Sequence, residues 1–440
     1  MNHGDATFVA PATPYGHSGI AVIRLNGPKA KTIIASISKG ANLKNRAPTL
    51  LRLYNTNGES LDQCLITYYK NPQSYTGDDL VEISCHGNPS LIDMIMELIL
   101  ENGARLAEPG EFTKRAFING KVDLLQAEAV GALIQSKTEI ATKIHTNTLN
   151  GALSLSIKSI SDKIIAQLSN IEHAIDISED EIDQSFYNKC GESISNIITQ
   201  TDALLSTFSA AKLINDGIRV VITGKPNVGK STLLNRLSGY DKAIVSSEPG
   251  TTRDIIEALM VIDGVPIKYI DTAGVHITDD KIEKMGIDKT NHEIKSADLI
   301  LYINDNPKDK KLQHFDIPAI HILNKIDLHK TVSKNDSIIH ISAKTGKNVD
   351  ILLKKIKKTL TIEPVSTTAP HLTTKRQQRA LIHSIDASRR AHELIMVSMP
   401  NLELVALELR AALSEIDNLL GKTSPDTILN HVFDTLCVGK

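Results

Sequence analysis

The segment GKPNVGKS at residues 224–231 decides the fold of a large part of this chain. It matches the pattern GxxxxGK[ST], in which backbone N–H groups and a helix N-terminus surround phosphate oxygens. The context fits, because IRVVI at 218–222 reads as a strand and TLLNRL at 232–237 reads as a helix. The segment therefore predicts a nucleotide site in which Lys230 reaches the β- and γ-phosphates and Ser231 ligates Mg²⁺. The other loop residues expected to contact the nucleotide are Asn227, Val228, Gly229 and Thr232.

Three further segments each follow a predicted strand. DTAG at 271–274 offers a carboxylate that can hold Mg²⁺ through water and a glycine that lets the backbone approach the γ-phosphate. NKID at 324–327 places Asp327 to accept N1–H and N2–H of guanine, a donor pair that adenine lacks. SAK at 342–344 is expected to support the base. The order of these motifs predicts a Ras-like P-loop GTPase domain rather than a generic ATPase. The expected contacts are Asp271, Thr272, Ala273, Gly274, Asn324, Lys325, Asp327, Ser342, Ala343 and Lys344.

The residues that would catalyse hydrolysis depart from the Ras pattern. Val275 stands where Ras-type enzymes carry a glutamine that orients the attacking water, and the P-loop contains no arginine. Either hydrolysis is nearly absent or the missing groups come from elsewhere. The segment GTTRD at 250–254 reads as a switch, in which Thr252 is positioned to ligate Mg²⁺.

The pattern along the chain predicts a multidomain α/β protein. Residues 1–118 mix short strands and helices as an α+β domain, and residues 217–361 alternate strands and helices around the P-loop. Residues 119–212 and 366–440 read as long amphipathic helices. Within one block there are too few helices to cover each other's apolar faces. The two blocks are therefore expected to form one discontinuous all-α domain with the GTPase domain inserted. The alternative is two separate helical domains.

Composition excludes several classes of protein. The net charge of −2 gives no support for nucleic-acid binding, although a local basic patch is compatible with a neutral total. The four cysteines show no CxxC spacing, so neither a zinc site nor a disulfide framework is indicated. The N-terminus lacks the features of a signal peptide, and no apolar run is long enough to span a membrane. A cytoplasmic protein is therefore expected.

The flanking domains carry a resemblance to a known family. Asn227 in the P-loop together with GTTRD is similar to the pattern of potassium-activated GTPases that dimerise through their G domains. From about residue 5 to 440 the chain resembles the MnmE (TrmE) family of tRNA modification GTPases. The segments that carry this resemblance are TFVA at 7–10, ATPYG at 12–16, GIAVIR at 19–24, SYTGDDLVE at 74–82, CHG at 85–87, PGEFTKRAF at 109–117, GKVDL at 120–124, QAEA at 126–129 and CVGK at 437–440.

The resemblance implies an N-terminal folate-binding domain that pairs as a homodimer. It also implies GTP hydrolysis coupled to modification of C5 of the tRNA wobble uridine, with a one-carbon unit from 5-formyltetrahydrofolate or a related tetrahydrofolate. The FAD-dependent partner would be an MnmG-family protein in a heterotetramer or larger complex; FAD belongs to that partner, because this chain has no GxGxxG fingerprint. Carried over by position, the folate contacts are Arg24, Glu82, Lys121 and Lys440.

The same resemblance assigns the residues that replace the Ras catalytic groups. Glu283 would orient the attacking water through a second water. The K⁺ ligands would come from Asn227, Ser246, Glu248 and Thr251, and Ser246 and Thr251 would also contact GTP.

Some positions depart from the family pattern, and two other functions stay open. The departures are Asp78 for Glu, Val438 for Ile, His276 for Arg, and Ser246 and Glu248 in the K⁺ loop. One alternative is a ribosome-assembly or regulatory GTPase switch resembling Era or Der, which would call for a KH-like module or a second G domain. The other is a scaffold that binds GTP without turning it over, and Val275 is the observation that favours it.

Overall fold

The computed structural model describes most of the chain, namely residues 6–176, 183–238, 256–271, 296–307, 313–328, 337–360, 366–423 and 426–440. Two compact units emerge. The first comprises residues 1–135, 145–205 and 375–440, and the second comprises 136–144 and 206–374. The first unit is therefore discontinuous in sequence and is interrupted by the second.

The first unit begins with a six-stranded sheet. Its strands are β1 (Phe8–Pro11), β2 (Ser18–Asn26), β3 (Thr49–Tyr54), β4 (Ser60–Tyr69), β5 (Leu80–Gly87) and β6 (Arg105–Leu106), in the order β3-β4-β5-β2-β1-β6. Along β4, Cys64, Ile66 and Tyr68 are buried and alternate with more exposed residues, the period-two pattern of a sheet with one covered face. Two helices, α1 (Ala30–Ile37) and α2 (Pro89–Glu101), share a core with the strands.

Helices make up the rest of the first unit. Those before the interruption are α3 (Glu111–Ile118), α4 (Leu124–Gln135), α5 (Glu139–Leu149), α6 (Ala152–Ile175) and α7 (Gln184–Asp216), of which α5 and α7 extend into the second unit. Buried Ile157, Ile160, Ile164 and Ile171 follow the helical spacing on α6.

Helices from after the interruption join the same unit. They are α10 (Lys375–Ile395), α11 (Leu402–Leu420) and α12 (Asp426–Asp434). α11 packs against α10, α6 and α4. Helices from both blocks therefore form one body, as the sequence predicts, and the alternative of two separate helical domains is wrong.

The second unit is built on another six-stranded sheet. Its strands are β7 (Ile218–Gly224), β8 (Ile256–Ile262), β9 (Val265–Asp271), β10 (Leu299–Asn304), β11 (Ala319–Leu323) and β12 (Ile338–His340), in the order β12-β11-β10-β7-β9-β8. All neighbours are parallel except β8 and β9. Helices α8 (Lys230–Ser238) and α9 (Val349–Thr359) contribute to its core. The strand order changes direction beside β7, where open α/β sheets bind ligands.

The predicted fold class is confirmed: an α+β N-terminal part, a discontinuous helical part and an inserted P-loop α/β part. Within the portion of the chain that the structure describes, none of the helices combines the length and apolarity that crossing a membrane requires.

Candidate functional site

The P-loop lies where β7 passes into α8, and its glycines are required by close packing. Gly224 has φ +147°, and a Cβ there would collide with the carbonyl oxygen of Ile303 on β10. Gly229 has φ +97°, and a Cβ there would collide with the amide of Asn324. Only glycine combines this backbone conformation with the missing side chain.

Lys230 is buried at the start of α8 and folds back over the P-loop. Its Nζ donates to the carbonyl oxygens of Gly224 at 2.7 Å and Lys225 at 3.3 Å. Ser231 and Thr232 follow it in the first turn of α8 and are exposed. A cation and the N-terminus of a helix thus share one end of the sheet, an arrangement suited to phosphate.

Asn324 ties the P-loop to the SAK loop. It is buried; its Nδ2 donates to the Val228 carbonyl at 2.8 Å, and its Oδ1 accepts from the Ala343 N–H at 2.9 Å. Sequence reasoning placed Asn324 among the nucleotide contacts but did not anticipate this bridge. Its two protein hydrogen bonds make it a support for both loops.

Lys325 also reaches the P-loop. Its Nζ donates to the Asn227 carbonyl at 2.6 Å and pairs with Asp305 at 2.7 Å, just beyond β10. Asp327 is exposed in a 3-10 turn at Ile326–Leu328. Sequence reasoning missed Asp305, although its place after a strand of the P-loop sheet was a usable signal.

Arg236 of α8 holds the SAK loop from the other side. It donates to the carbonyl oxygens of Ala343 at 3.1 Å and Lys344 at 2.5 Å, while Ser342 is buried. Nothing in the local sequence marks Arg236, since its partners lie more than a hundred residues away. The P-loop, NKID and SAK segments therefore meet at one edge of the sheet.

Strand β9 brings Asp271 to the same edge, where its backbone pairs with Ile222 of β7. The remaining predicted residues of this site lie outside the described part of the chain: Ser246, Glu248, Thr251, Thr252, Thr272, Ala273, Gly274 and Glu283.

A second cluster forms on the N-terminal sheet, where Arg24 of β2 lies directly opposite Glu82 of β5. Arg24 Nε donates to Glu82 Oε1 at 2.9 Å, and the guanidinium lies 5.6 Å from the centre of the Tyr75 ring. Tyr69 donates to the other carboxylate oxygen of Glu82 at 3.5 Å. Two residues that sequence reasoning selected are thus in contact, and two tyrosines it did not select support them.

The C-terminal tail reaches this cluster. Arg24 Nη1 donates to the Gly439 carbonyl at 3.3 Å. Burial, and then the positive charge of Arg24, lower the pKa of Lys440, which the carboxylate of Glu82 partly opposes. Three of the four predicted folate contacts therefore lie together. Lys121 is exposed after the turn at Gly120, and no described contact joins it to the other three.

Asp78, which departs from the family pattern, is fully engaged. Its carboxylate accepts from Asn26 at 3.1 Å and Asn119 at 3.0 Å, and it lies 3.4 Å from Arg115. The shorter carboxylate therefore still connects β2, the turn before β5 and the residue after α3.

Comparisons with known proteins bear on both parts of the chain. A family model described as the GTP-binding protein TrmE N-terminus matches residues 7–121, and a model of the MnmE helical domain matches residues 124–437. The chain belongs to the MnmE family of tRNA modification GTPases. The tRNA modification GTPase MnmE of Legionella pneumophila strain Paris is 37% identical over 451 residues, covering 99% of each chain. That of Aquifex aeolicus strain VF5 is 36% identical over 445 residues, covering 98% of this chain and 99% of the relative.

Solved structures of other GTPases each match a part of this MnmE-family chain. Era from Aquifex aeolicus is 28% identical over 38% of this chain and 66% of its own, with a TM-score of 0.25. The G domain of the T. maritima FeoB iron transporter is 25% identical over 32% of this chain and 98% of its own, with a TM-score of 0.24. Scores this low carry no argument about the fold.

Proposed function

We propose that this chain hydrolyses GTP and couples the hydrolysis to modification of the wobble uridine of certain tRNAs at C5. An FAD-dependent protein of the MnmG family would act with it, and a tetrahydrofolate would supply the one-carbon unit. The observation that carries the proposal is the presence in one chain of two separate assembled sites: the P-loop edge and the Arg24–Glu82 cluster with its C-terminal tail. A GTPase that acts only as a switch would leave the second site without a role.

The P-loop edge fits GTP and Mg²⁺. Lys230 would neutralise the β- and γ-phosphates, and Asp327 would read the guanine. The Ser231 hydroxyl and, from outside the described residues, Thr252 would hold Mg²⁺, which prefers such oxygen donors. Bound Mg²⁺ supplies charge neutralisation during phosphoryl transfer. The exposed position of Ser231 in the first turn of α8 supports this assignment.

Asn227 fits a role in holding K⁺. It is exposed at φ +62°, and its backbone carbonyl is occupied by Lys325. Its side-chain amide has no hydrogen bond among the residues that the structure describes, so its oxygen remains free to bind a cation. Ser246, Glu248 and Thr251 would complete the K⁺ site. Glu283 would orient the attacking water, since Val275 has no polar atom to do so.

The N-terminal cluster fits a folate such as 5-formyltetrahydrofolate. Lys440 lies close enough to Arg24 that the charge of the guanidinium lowers the pKa of Lys440, and an anion between them would relieve that repulsion. The glutamate tail of a folate carries such anions. Glu82 can accept hydrogen bonds from the amide and amino edge of a pterin. Lys121 would add a further cation.

The N-terminal domain is also proposed to pair two copies of the chain as a homodimer. Light scattering at micromolar concentration should give twice the chain mass of 48.0 kDa. A monomer under those conditions would contradict the dimer.

Steady-state GTP hydrolysis in KCl and NaCl at equal ionic strength tests the GTPase half of the proposal. We expect hydrolysis in KCl to exceed that in NaCl by about 10³–10⁵-fold if K⁺ supplies what an arginine finger supplies elsewhere. Asn227→Ala should abolish the K⁺ response. Glu283→Ala should stop turnover while GTP affinity stays at the wild-type value, because the residue acts on water.

Equal rates in the two salts would contradict the K⁺ assignment, and unchanged turnover in Glu283→Ala would contradict the catalytic assignment. Absence of hydrolysis in either salt would favour the scaffold that binds GTP without turnover.

A further inference from the structure

The N-terminal domain contains a long segment with positive charges only. Residues 27–58 include six lysines and arginines and no aspartate or glutamate. The segment runs from α1 through the following connection into β3. A net charge of −2 for the whole chain therefore conceals a stretch of chain that carries positive charges only.

Two lysines mark the ends of α1, and each lies over a tyrosine ring. Lys31 Nζ lies 5.3 Å from the ring centre of Tyr68 on β4, and Lys39 Nζ lies 3.7 Å from the ring centre of Tyr54 on β3. The two cations are therefore held by aromatic rings, one within α1 and one just beyond its end.

The connection after α1 returns to the Tyr68 end. The Arg46 N–H donates to the Tyr68 carbonyl at 2.7 Å, and its guanidinium donates to the Gln73 carbonyl at 2.9 Å. Lys44 is exposed beside it. The carboxylate beside Tyr68 is that of Asp79, which accepts from the Asn71 N–H at 2.8 Å and from the Tyr68 hydroxyl. Among the described residues it forms no ion pair with these lysines.

We call the surface formed by Lys31, Lys39, Lys44 and Arg46 the α1 strip. None of the four forms an ion pair with a carboxylate in the part of the chain described by the structure. Arginines of the helical part behave differently: Arg389 pairs with Asp202 at 2.9 Å, Arg390 with Glu408 at 2.8 Å and Arg410 with Glu172 at 2.6 Å. A group of cations that is not neutralised within the described residues is suited to an external polyanion.

One member of the α1 strip, Arg46, acts on a residue of the candidate one-carbon site. Arg46 lies close enough to Tyr69 to oppose the rise that burial causes in the pKa of that tyrosine. The Tyr69 hydroxyl in turn contacts Glu82. Neighbouring residues of a strand point to opposite faces of a sheet, so Tyr69 and Glu82 lie on the face opposite to Tyr68 and α1.

We propose that the α1 strip is a docking surface for the sugar–phosphate backbone of a structured RNA. The proposal rests on the proposed function, in which that RNA is a tRNA. The strip would contact phosphates through its charges, and such contacts supply affinity and orientation rather than choice of sequence.

Binding of a fluorescently labelled, unmodified tRNA transcript to the full chain tests this surface. The triple variant Lys39→Gln, Lys44→Gln, Arg46→Gln is compared with Arg389→Gln, Arg390→Gln, Arg410→Gln, which removes the same charge from ion-paired positions. Anisotropy is measured between about 50 and 200 mM KCl. We expect the strip variant to bind at least about 10-fold more weakly at ~0.1 M salt. Its salt slope should be lower by about 0.7–0.9 for each phosphate that no longer pairs with a cation.

The control variant should retain wild-type affinity, and GTP hydrolysis by both variants should match the wild type, which shows that they fold. A strip variant that binds like the wild type overturns the surface, as does an equal loss of affinity in both variants. A wild-type chain that does not bind tRNA overturns the proposed function itself, so the two failures are distinguishable.

Discussion

Gly439 holds the C-terminal tail in a conformation that other residues rarely adopt. Its φ is +93°, and a Cβ there would collide with the carbonyl oxygen of Pro11. Its own carbonyl accepts from Arg24. A single glycine therefore sets the position of Lys440 beside the Arg24–Glu82 pair.

Gly439→Ala should weaken folate binding at least as much as Arg24→Ala does, because the C-terminal tail with Lys440 would move away from Arg24 and Glu82. Gly103→Ala is the matched control, since Gly103 has φ +95° but open space around its Cβ position. Calorimetry with 5-formyltetrahydrofolate measures the affinity of each variant for folate. Equal affinities for the two glycine-to-alanine variants would show that the tail does not take part.

The titration of Lys440 should make folate binding depend on pH. Burial and the charge of Arg24 lower its pKa below the ordinary 10.5. Protonated Lys440 attracts the folate carboxylates, so affinity is complete below the lowered pKa and falls as pH rises through it. The folded chain holds this proton less tightly than the unfolded chain, so the contribution of Lys440 to stability rises with pH over the same window.

Titrations with folate between about pH 7 and 10 check this expectation. Lys440→Gln should bind more weakly at neutral pH and lose most of the decline at alkaline pH. An unchanged decline in Lys440→Gln would assign the titrating group elsewhere.

At the scale of elements, a charged clamp joins α4 to α10 and α11. Arg376 at the start of α10 pairs with Glu128 of α4 at 2.7 and 3.0 Å, and Gln377 donates to the same carboxylate at 2.7 Å. Arg376 also donates to the Asn418 carbonyl at 3.2 Å, near the end of α11. The clamp connects helices from both sides of the inserted unit.

Glu128→Gln should destabilise the first unit by about 1–3 kcal/mol, because Arg376 and Gln377 lose a charged acceptor in a mostly buried place. Glu408→Gln, which breaks the more exposed pair with Arg390, is the control and should shift the unfolding midpoint less. Urea unfolding followed by circular dichroism measures both. A larger shift for Glu408→Gln would show that the clamp is not a main support.

Local pattern predicts elements better than it predicts their partners. The spacing of isoleucines predicts α6, and the P-loop predicts the passage from β7 into α8, since both depend on neighbours in sequence. The clamp could not be predicted, because Glu128 and Arg376 are 248 residues apart and each resembles a solvated surface charge. Their meeting depends on how the helices pack, which no local pattern contains.

At the scale of the whole molecule, the fold class follows from the order in which strand-rich and helix-rich stretches occur along the sequence. The three segments predicted to bind nucleotide lie in contact with one another. The return of the tail to the N-terminal sheet joins Arg24 to Gly439 across 415 residues, and only the resemblance to a family suggests it. The net charge of the chain allowed a local basic patch, but the sequence did not show that the patch would lie at the α1 strip. Its importance comes from the absence of paired carboxylates in the described residues, which is a property of the fold.

Mass spectrometry of wobble nucleosides tests the central claim most directly. Cells lacking this protein should carry unmodified uridine at the wobble position, and the wild-type gene should restore the modified nucleoside. Genes carrying Lys230→Ala or Arg24→Ala should fail to restore it, because each removes one of the two sites. Unchanged wobble nucleosides in the cells that lack the protein would contradict the account.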